Sequence, residues 1–149
     1  MEHGNRKLSK AESYIRYKEN IIFEEYITKL KDEKQRKAQT RLRLSCHPLM
    51  IERGRHHKCP LPRPERTCPY CPSEIETEQH FITSCSRYST QRVPLYRAAT
   101  ENSIHFENMP HESKFIFLFS NENINVLSEL GAFIHNSLKH RDAGMTWEL

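Results

Sequence analysis

Glycine is scarce in this chain, four residues in 149, and the scarcity removes a group of functions. A phosphate-cradling loop or a dinucleotide fingerprint needs glycines clustered in one turn, and no G-x-S-x-G nucleophile elbow is present either. Long apolar runs are also missing. The longest, "FIFLF" at 115–119, falls far short of the roughly 20 residues a membrane-spanning helix needs. The opening "MEHGNRKLSKAE" has no apolar stretch suited to a signal peptide. Hydrophobic residues make up 36% and charged residues 28%, so the expected core is thin and gains from an added staple. The five cysteines are odd in number and accompany no export signal. A disulfide framework is therefore not expected. Reduced, metal-ready thiols in an intracellular protein of the nucleus or cytoplasm are.

Charge is present but unevenly spread. Residues 31–66 hold eleven Lys or Arg against four Asp or Glu, whereas 101–149 hold three basic and seven acidic residues. The asymmetry favours an anionic partner at one end of the molecule, the plainer alternative being a solvated helix face.

The pattern reads as mostly α. Ser9 is placed to cap "KAESYIRYK", and "FEEYITKL" sets Phe23, Tyr26, Ile27 and Leu30 at helical spacing. Residues 32–45 follow with good helix formers, acids in the first turn and no Gly or Pro. There Ala38, Leu42 and Ser45 share one face, with Arg36, Thr40 and Arg43 opposite and Lys37 and Arg41 on a second flank. Pro48 predicts a stop near Cys46 or His47. The next stretch, 48–66, contains four prolines and Gly54 and reads as irregular. Thr77 is placed to cap "EQHFITSC", and "RYSTQRVPLYRAATEN" predicts a helix that Pro94 shifts or kinks. "HESKFIFLFS" has no decisive period and fits helix or strand. In "NENINVLSELGAFIHNSLKHR" the repeat of Leu127, Leu130, Ile134 and Leu138 predicts a helix capped by Asn121 or Asn123. Three segments result: a helical lead-in over 1–31, a basic helix with loop and cysteine cluster over 32–92, and a helical tail over 93–149.

That cluster, "CPYCPSEIETEQHFITSC", carries the chemistry. Its spacing is C-x2-C-x8-H-x4-C, from Cys68, Cys71, His80 and Cys85. A C-x2-C pair on a tight turn aims two sulfurs and nearby backbone N–H groups at one point, the first half of many tetrahedral zinc sites. Five residues apart on a regular helix, His80 and Cys85 would diverge by about 140°, so the helix is expected to loosen at Cys85. Three thiolates and an imidazole close a tetrahedron with no open position, which marks a structural zinc site, not a catalytic one. Redox chemistry at Cys68 and Cys71 would be expected beside a βαβ pattern, which is absent. His56, His57 and Cys59 in "HHKCP" lack a second pair at ligand distance and read as polar loop. Cys46 reads as a small apolar residue at a helix end.

Around this cluster the chain resembles the zinc-binding segment that follows the polymerase domain in LINE-type (non-LTR) retrotransposon reverse transcriptases. The residues that carry the resemblance are "TRLR" at 40–43, "HPLMIERGR" at 47–55, "RTCPYC" at 66–71 and "HFITSCSRYSTQR" at 80–92. The likeness is dense over 36–92 and weaker through "KFIFLFSNEN" to the tail. It implies a detached C-terminal module that helps to bind nucleic acid and performs no chemistry, since no polymerase carboxylate pair and no endonuclease are present. A relic of a mobile element is the bleakest version of that implication.

The residues support the same role. Lys34, Arg36, Lys37, Arg41 and Arg43 offer a phosphate-binding surface, and Arg53, Arg55, Lys58, Arg63 and Arg66 extend it along the loop to DNA or RNA. Tyr70 is a candidate to stack an unpaired base; Phe81 reads as core. Glu74, Glu76 and Glu78 alternate on a short connector and read as a solvated edge, with no acid–base partner. The rival expectation is a zinc-stapled adaptor that meets a protein partner, through the acidic tail or on its basic face.

Overall fold

The computed structural model describes residues 12–18 and 24–142; the caps and contacts expected of Ser9 and Phe23 fall outside them. Among the described residues the chain is helical and has no strand. Two short helices lead in, α1 (Glu12–Ile15) and α2 (Glu25–Lys29). The basic helix α3 (Glu33–Arg43) starts where Asp32 accepts the Gln35 N–H at 3.0 Å. It stops short of Pro48 because Ser45 adopts a left-handed φ of 57°. The N–H of Cys46 then reaches back to Arg41 O at 2.7 Å and that of Ser45 to Leu42 O at 3.2 Å. This is the crossed pair of bonds that ends many helices, with serine where glycine is usual.

A short α4 (Met50–Arg53) follows. Gly54 closes it because a Cβ there would lie 2.6 Å from Arg66 Cγ. The Arg66 side chain lies across that spot and donates to Leu61 O at 2.9 Å and Ile51 O at 3.2 Å, so the proline-rich stretch is held by hydrogen bonds. Then come α5 (Glu78–Thr83), α6 (Ser89–Asn102) with exposed Pro94 kept inside it, α7 (His111–Ser120) and α8 (Ile124–Asp142). The ambiguous apolar run is thus a helix. Phe115, Leu118 and Phe119 are buried while Ile116 and Phe117 are half-buried, which is why no polar face interrupts the sequence. Asn123 caps α8 by accepting from Asn125 N and Val126 N at 3.0 and 3.3 Å.

The long α8 is the spine on which α3 and α6 pack. Gly131 permits the α3 crossing, since a Cβ there would stand 2.7 Å from Gln35 Cβ. One core runs through residues of all three sequence segments' described parts. Leu42, Phe81, Tyr88, Leu95, Phe115, Leu130 and Ile134 are all sealed in it, and half-buried Tyr17 packs against it. The Phe81 ring sits 5.0 Å from Tyr88 and 5.3 Å from Phe133, as its apolar character predicts.

Candidate metal centre

Residues 66–76 form a tight reversal that carries the first two sulfurs. The Cys68 N–H donates to Glu74 O at 2.8 Å and the Glu76 N–H to Arg66 O at 3.0 Å, around one isolated antiparallel bridge between Thr67 and Ile75. Within the turn, Pro69 offers no N–H, and the N–H groups of Tyr70 and Cys71 point at the Cys68 sulfur. The opposite wall is α5, whose first turn is fixed by Thr77 Oγ1 accepting the His80 N–H at 3.0 Å. Past Thr83 the helix opens as the spacing predicts. The N–H groups of Ser84 and Cys85 both converge on His80 O, at 3.0 and 2.8 Å, and this wider turn swings Cys85 to the side of His80.

The result is one cluster. The donor atoms of Cys68, Cys71, His80 and Cys85 all lie within 4.8 Å of one another. Cys85 Sγ is 3.8 Å from Cys68 Sγ and 4.0 Å from Cys71 Sγ. Metal–sulfur bonds of about 2.3 Å at tetrahedral angles place two sulfurs about 3.8 Å apart, so the spacing fits. Cys68, His80 and Cys85 are buried and Cys71 is half-buried. On His80, Nδ1 lies 3.2 Å from Ser84 Oγ, while Nε2 is buried with no hydrogen-bond partner. A hydroxyl that fixes one ring nitrogen and leaves the other orphaned among three sulfurs is the arrangement of a ligand imidazole. These four residues can hold a metal ion.

The electrostatics agree. A hydrogen bond from the Cys85 thiol pushes the Cys68 thiol down to about 4, and the same contact pushes Cys85 up. The backbone N–H and the hydroxyl of Ser86 lower Cys71 against a smaller burial effect. Burial pulls His80 down, but the neighbouring Cys68 and Cys71 sulfurs outweigh it and leave it raised. The Cys68 thiolate is thus favoured before any cation arrives, and the proton that Cys85 holds is one a metal would expel.

Sequence reasoning missed the outer supports. From α6, buried Arg92 donates to Phe81 O at 3.2 Å, Ile82 O at 2.7 Å and Cys85 O at 2.9 Å, satisfying carbonyls that the opened helix leaves bare. An arginine seven residues past the last ligand is the one local signal for it. Glu76 and Glu78 are a correction. Only Glu74 is exposed; Glu76 and Glu78 are buried because each has found a partner. Glu76 pairs with Arg141 and accepts the Met50 N–H at 2.7 Å. Glu78 accepts from Ser13 Oγ and meets His47 Nε2, both at 2.8 Å. Burial raises the Glu78 carboxyl, but the His47 contact and the Ser13 hydroxyl outweigh it and hold it below the usual range.

The basic residues separate into two groups. Lys34, Lys37, Arg41, Lys58 and Arg63 are exposed. Arg43 is turned inward and is 4% exposed, which corrects its placement on a phosphate-binding face. Its guanidinium lies 4.5 Å from the Tyr26 ring centre and 5.2 Å from those of Tyr17 and Phe119, and it donates to Phe119 O at 3.0 Å. Arg36 is half-buried and donates to Leu30 O and Lys31 O at 2.6 and 2.7 Å. Arg66 is committed to the loop as described, Arg55 faces Glu52 at 3.4 Å, and Arg53 is half-buried. Tyr70 is half-buried beneath Arg87, whose guanidinium stands 4.9 Å from the ring centre. Cys46, His56, His57 and Cys59 are exposed and stand outside the cluster, with Cys46 in the turn that closes α3.

Among the described residues no helix is long and apolar enough to cross a membrane. Compared with known proteins, the chain matches no family model, no curated protein and no solved structure.

Proposed function

We propose that this chain is a non-catalytic, zinc-binding module that binds nucleic acid through phosphates, of the kind that follows the polymerase in LINE-type reverse transcriptases. The observation that carries the reading is the closed set of donors at Cys68, Cys71, His80 and Cys85, all within 4.8 Å of one another. Three sulfurs and one imidazole suit zinc, and four protein donors leave no coordination position for a substrate or an activated water. Zinc, when bound, supplies cross-linking: it joins the 66–76 reversal to α5 and through Arg92 to α6.

The chain's own residues then present charge. Lys34, Lys37 and Arg41 on the outer side of α3, with Lys58 and Arg63 on the loop, are exposed and able to meet phosphates, which gives affinity without sequence preference. Arg36, Arg43 and Arg66 serve by holding the helix and loop in place. A non-catalytic role also fits the Ser13, Glu78 and His47 group. The carboxylate lies between the other two, so the imidazole touches no hydroxyl and activates no nucleophile.

Metal analysis of the purified protein tests the first half, with one zinc per chain expected and loss of tight binding in a Cys71→Ser protein. A salt-titrated binding assay on single- and double-stranded DNA and RNA tests the second. Affinity falls steeply with salt if phosphates are the ligand. A flat salt response, or two zinc ions per chain, contradicts the proposal; a flat response with one zinc favours a protein-binding adaptor.

A further inference from the structure

By sequence the tail is acidic, with three basic against seven acidic residues over 101–149, yet its last helix brings cations to the basic face of α3. The two helices run in opposite directions. Gln39 Nε2 donates to Leu127 O at 2.8 Å; one turn earlier, Gln35 Oε1 accepts from Ser128 Oγ at 3.1 Å, and a Cβ on Gly131 would lie 2.7 Å from Gln35 Cβ. Moving toward the start of α3 therefore moves toward the end of α8. His135 and Lys139 follow Gly131 at four-residue intervals, so all three share the face of α8 that meets α3. The closest approach is at the glycine; beyond it His135 is half-buried and Lys139 is exposed. Lys34, beside Gln35, is exposed on the rim of the same seam. Burial lowers the His135 imidazole most, and the charges of Lys139 and Lys34 lower it further, against an opposing effect of Asp32. Cations from both helices thus act on one ring. Of the neighbouring acids, Asp32 caps α3 and Glu33 holds Lys37 at 2.6 Å. Among the described residues neither Lys34 nor Lys139 has an ion-pair partner.

We infer that the phosphate-binding surface crosses this seam, with Lys139 and His135 of α8 joining Lys34 of α3 in holding the backbone of a nucleic acid. The inference rests on the nucleic-acid reading and deepens it, because it moves part of the interface onto the tail, where the sequence places net negative charge. Two ammonium groups on either side of an imidazole repel one another and disfavour its protonated form. An anion laid along the seam relieves both effects. The seam also continues an existing row. Lys34, Lys37 and Arg41 form the exposed stripe of α3, so the cations of α8 widen that stripe into a two-helix surface. A row of cations fits a polymer that carries a charge at every nucleotide better than it fits one isolated acid.

The experiment titrates the zinc-loaded full chain with single- and double-stranded DNA and RNA oligonucleotides at several salt concentrations. Lys139→Gln and Lys34→Gln are each expected to lower the salt slope by about 0.7–0.9, and the double variant by the sum, with affinity falling equally for unrelated sequences. Arg97→Gln removes the same charge from an exposed position on α6, away from the seam, and is expected to leave the slope unchanged. All three side chains are exposed, so zinc content and melting temperature should hold. In parallel, NMR follows the His135 ring. Its titration midpoint is expected to rise when an oligonucleotide binds, because nearby phosphates favour the protonated imidazole. A slope that ignores Lys139→Gln, an equal loss of slope in Arg97→Gln, or a His135 midpoint that stays put in the complex would each overturn the inference. Oligonucleotide binding whose slope responds only to Lys37→Gln and Arg41→Gln removes this inference and leaves the proposed function standing. Absence of any oligonucleotide binding removes both. Polyglutamate is the last probe: if it binds through Lys139 while oligonucleotides do not, the seam belongs to an acidic protein partner and the inference fails.

Discussion

Arg141, near the end of α8, donates from Nη1 to Glu76 Oε1 at 2.5 Å and from Nη2 to Glu76 Oε2 at 3.1 Å, and both side chains are sealed from solvent. Burial raises the Glu76 carboxyl, while the Arg141 charge and the Met50 N–H oppose it. The pair ties the helical tail to the residue just after the cysteine turn. Replacing Glu76 with Gln or Arg141 with Met leaves a buried charge alone and is expected to cost about 3–5 kcal/mol in chemical unfolding. The joint change to apolar residues is expected to recover much of that loss. If either single change leaves the unfolding midpoint where it was, the pair is not a tie between tail and turn.

The arginines of α3 make a second, divergent pair of expectations. Arg43→Gln removes a charged donor from an aromatic enclosure and should lower stability by at least about 2 kcal/mol. Lys37→Gln combined with Arg41→Gln acts on exposed side chains, so the melting temperature should hold. Every phosphate that these two side chains no longer neutralise reduces the salt slope of nucleic-acid binding by about 0.7–0.9. An Arg43 variant that is fully stable and selectively defective in binding would put that residue back on the surface.

Metal affinity should depend on pH in a direction set by the thiols and imidazole. Cys85 is pushed up chiefly by its hydrogen bond with Cys68, so its proton is still held at neutral pH and must leave on metal binding. His80 is raised as well, so its proton competes at higher pH than an ordinary imidazole's would. A proton held to higher pH weakens the metal more as pH falls. Apparent zinc affinity should therefore rise with pH by about tenfold per unit for each proton released. Competition against a chromophoric chelator between pH 6 and 8 measures it, and a pH-independent affinity would contradict this ligand set.

Ser45 holds a left-handed conformation that costs a side-chain-bearing residue about 1–2 kcal/mol. Ser45→Gly keeps the crossed hydrogen bonds at the end of α3 and should raise stability by up to about 1 kcal/mol, read as an upward shift in melting temperature. A destabilised glycine variant would mean that the serine side chain holds the turn through its own contacts.

The ligand set and the helix starts were legible in the sequence, and for one reason: they are local. Cys68 to Cys85 span few enough residues that spacing nearly fixes their meeting, and the capping atoms of Thr77 and Asn123 bond N–H groups two or three residues on. The fate of the charges was not legible. Glu76 reads like its exposed neighbour Glu74 until Arg141 arrives from 65 residues away. Arg43 reads like exposed Arg41 until α7 brings Phe119 over it, 76 residues on. The run at 115–119 became a helix only because neighbouring elements cover it broadly enough that it needed no polar face. Spacing along the chain governs bonds within a turn or two; whether a charge is solvated or buried depends on what packs against it, and that belongs to the tertiary fold.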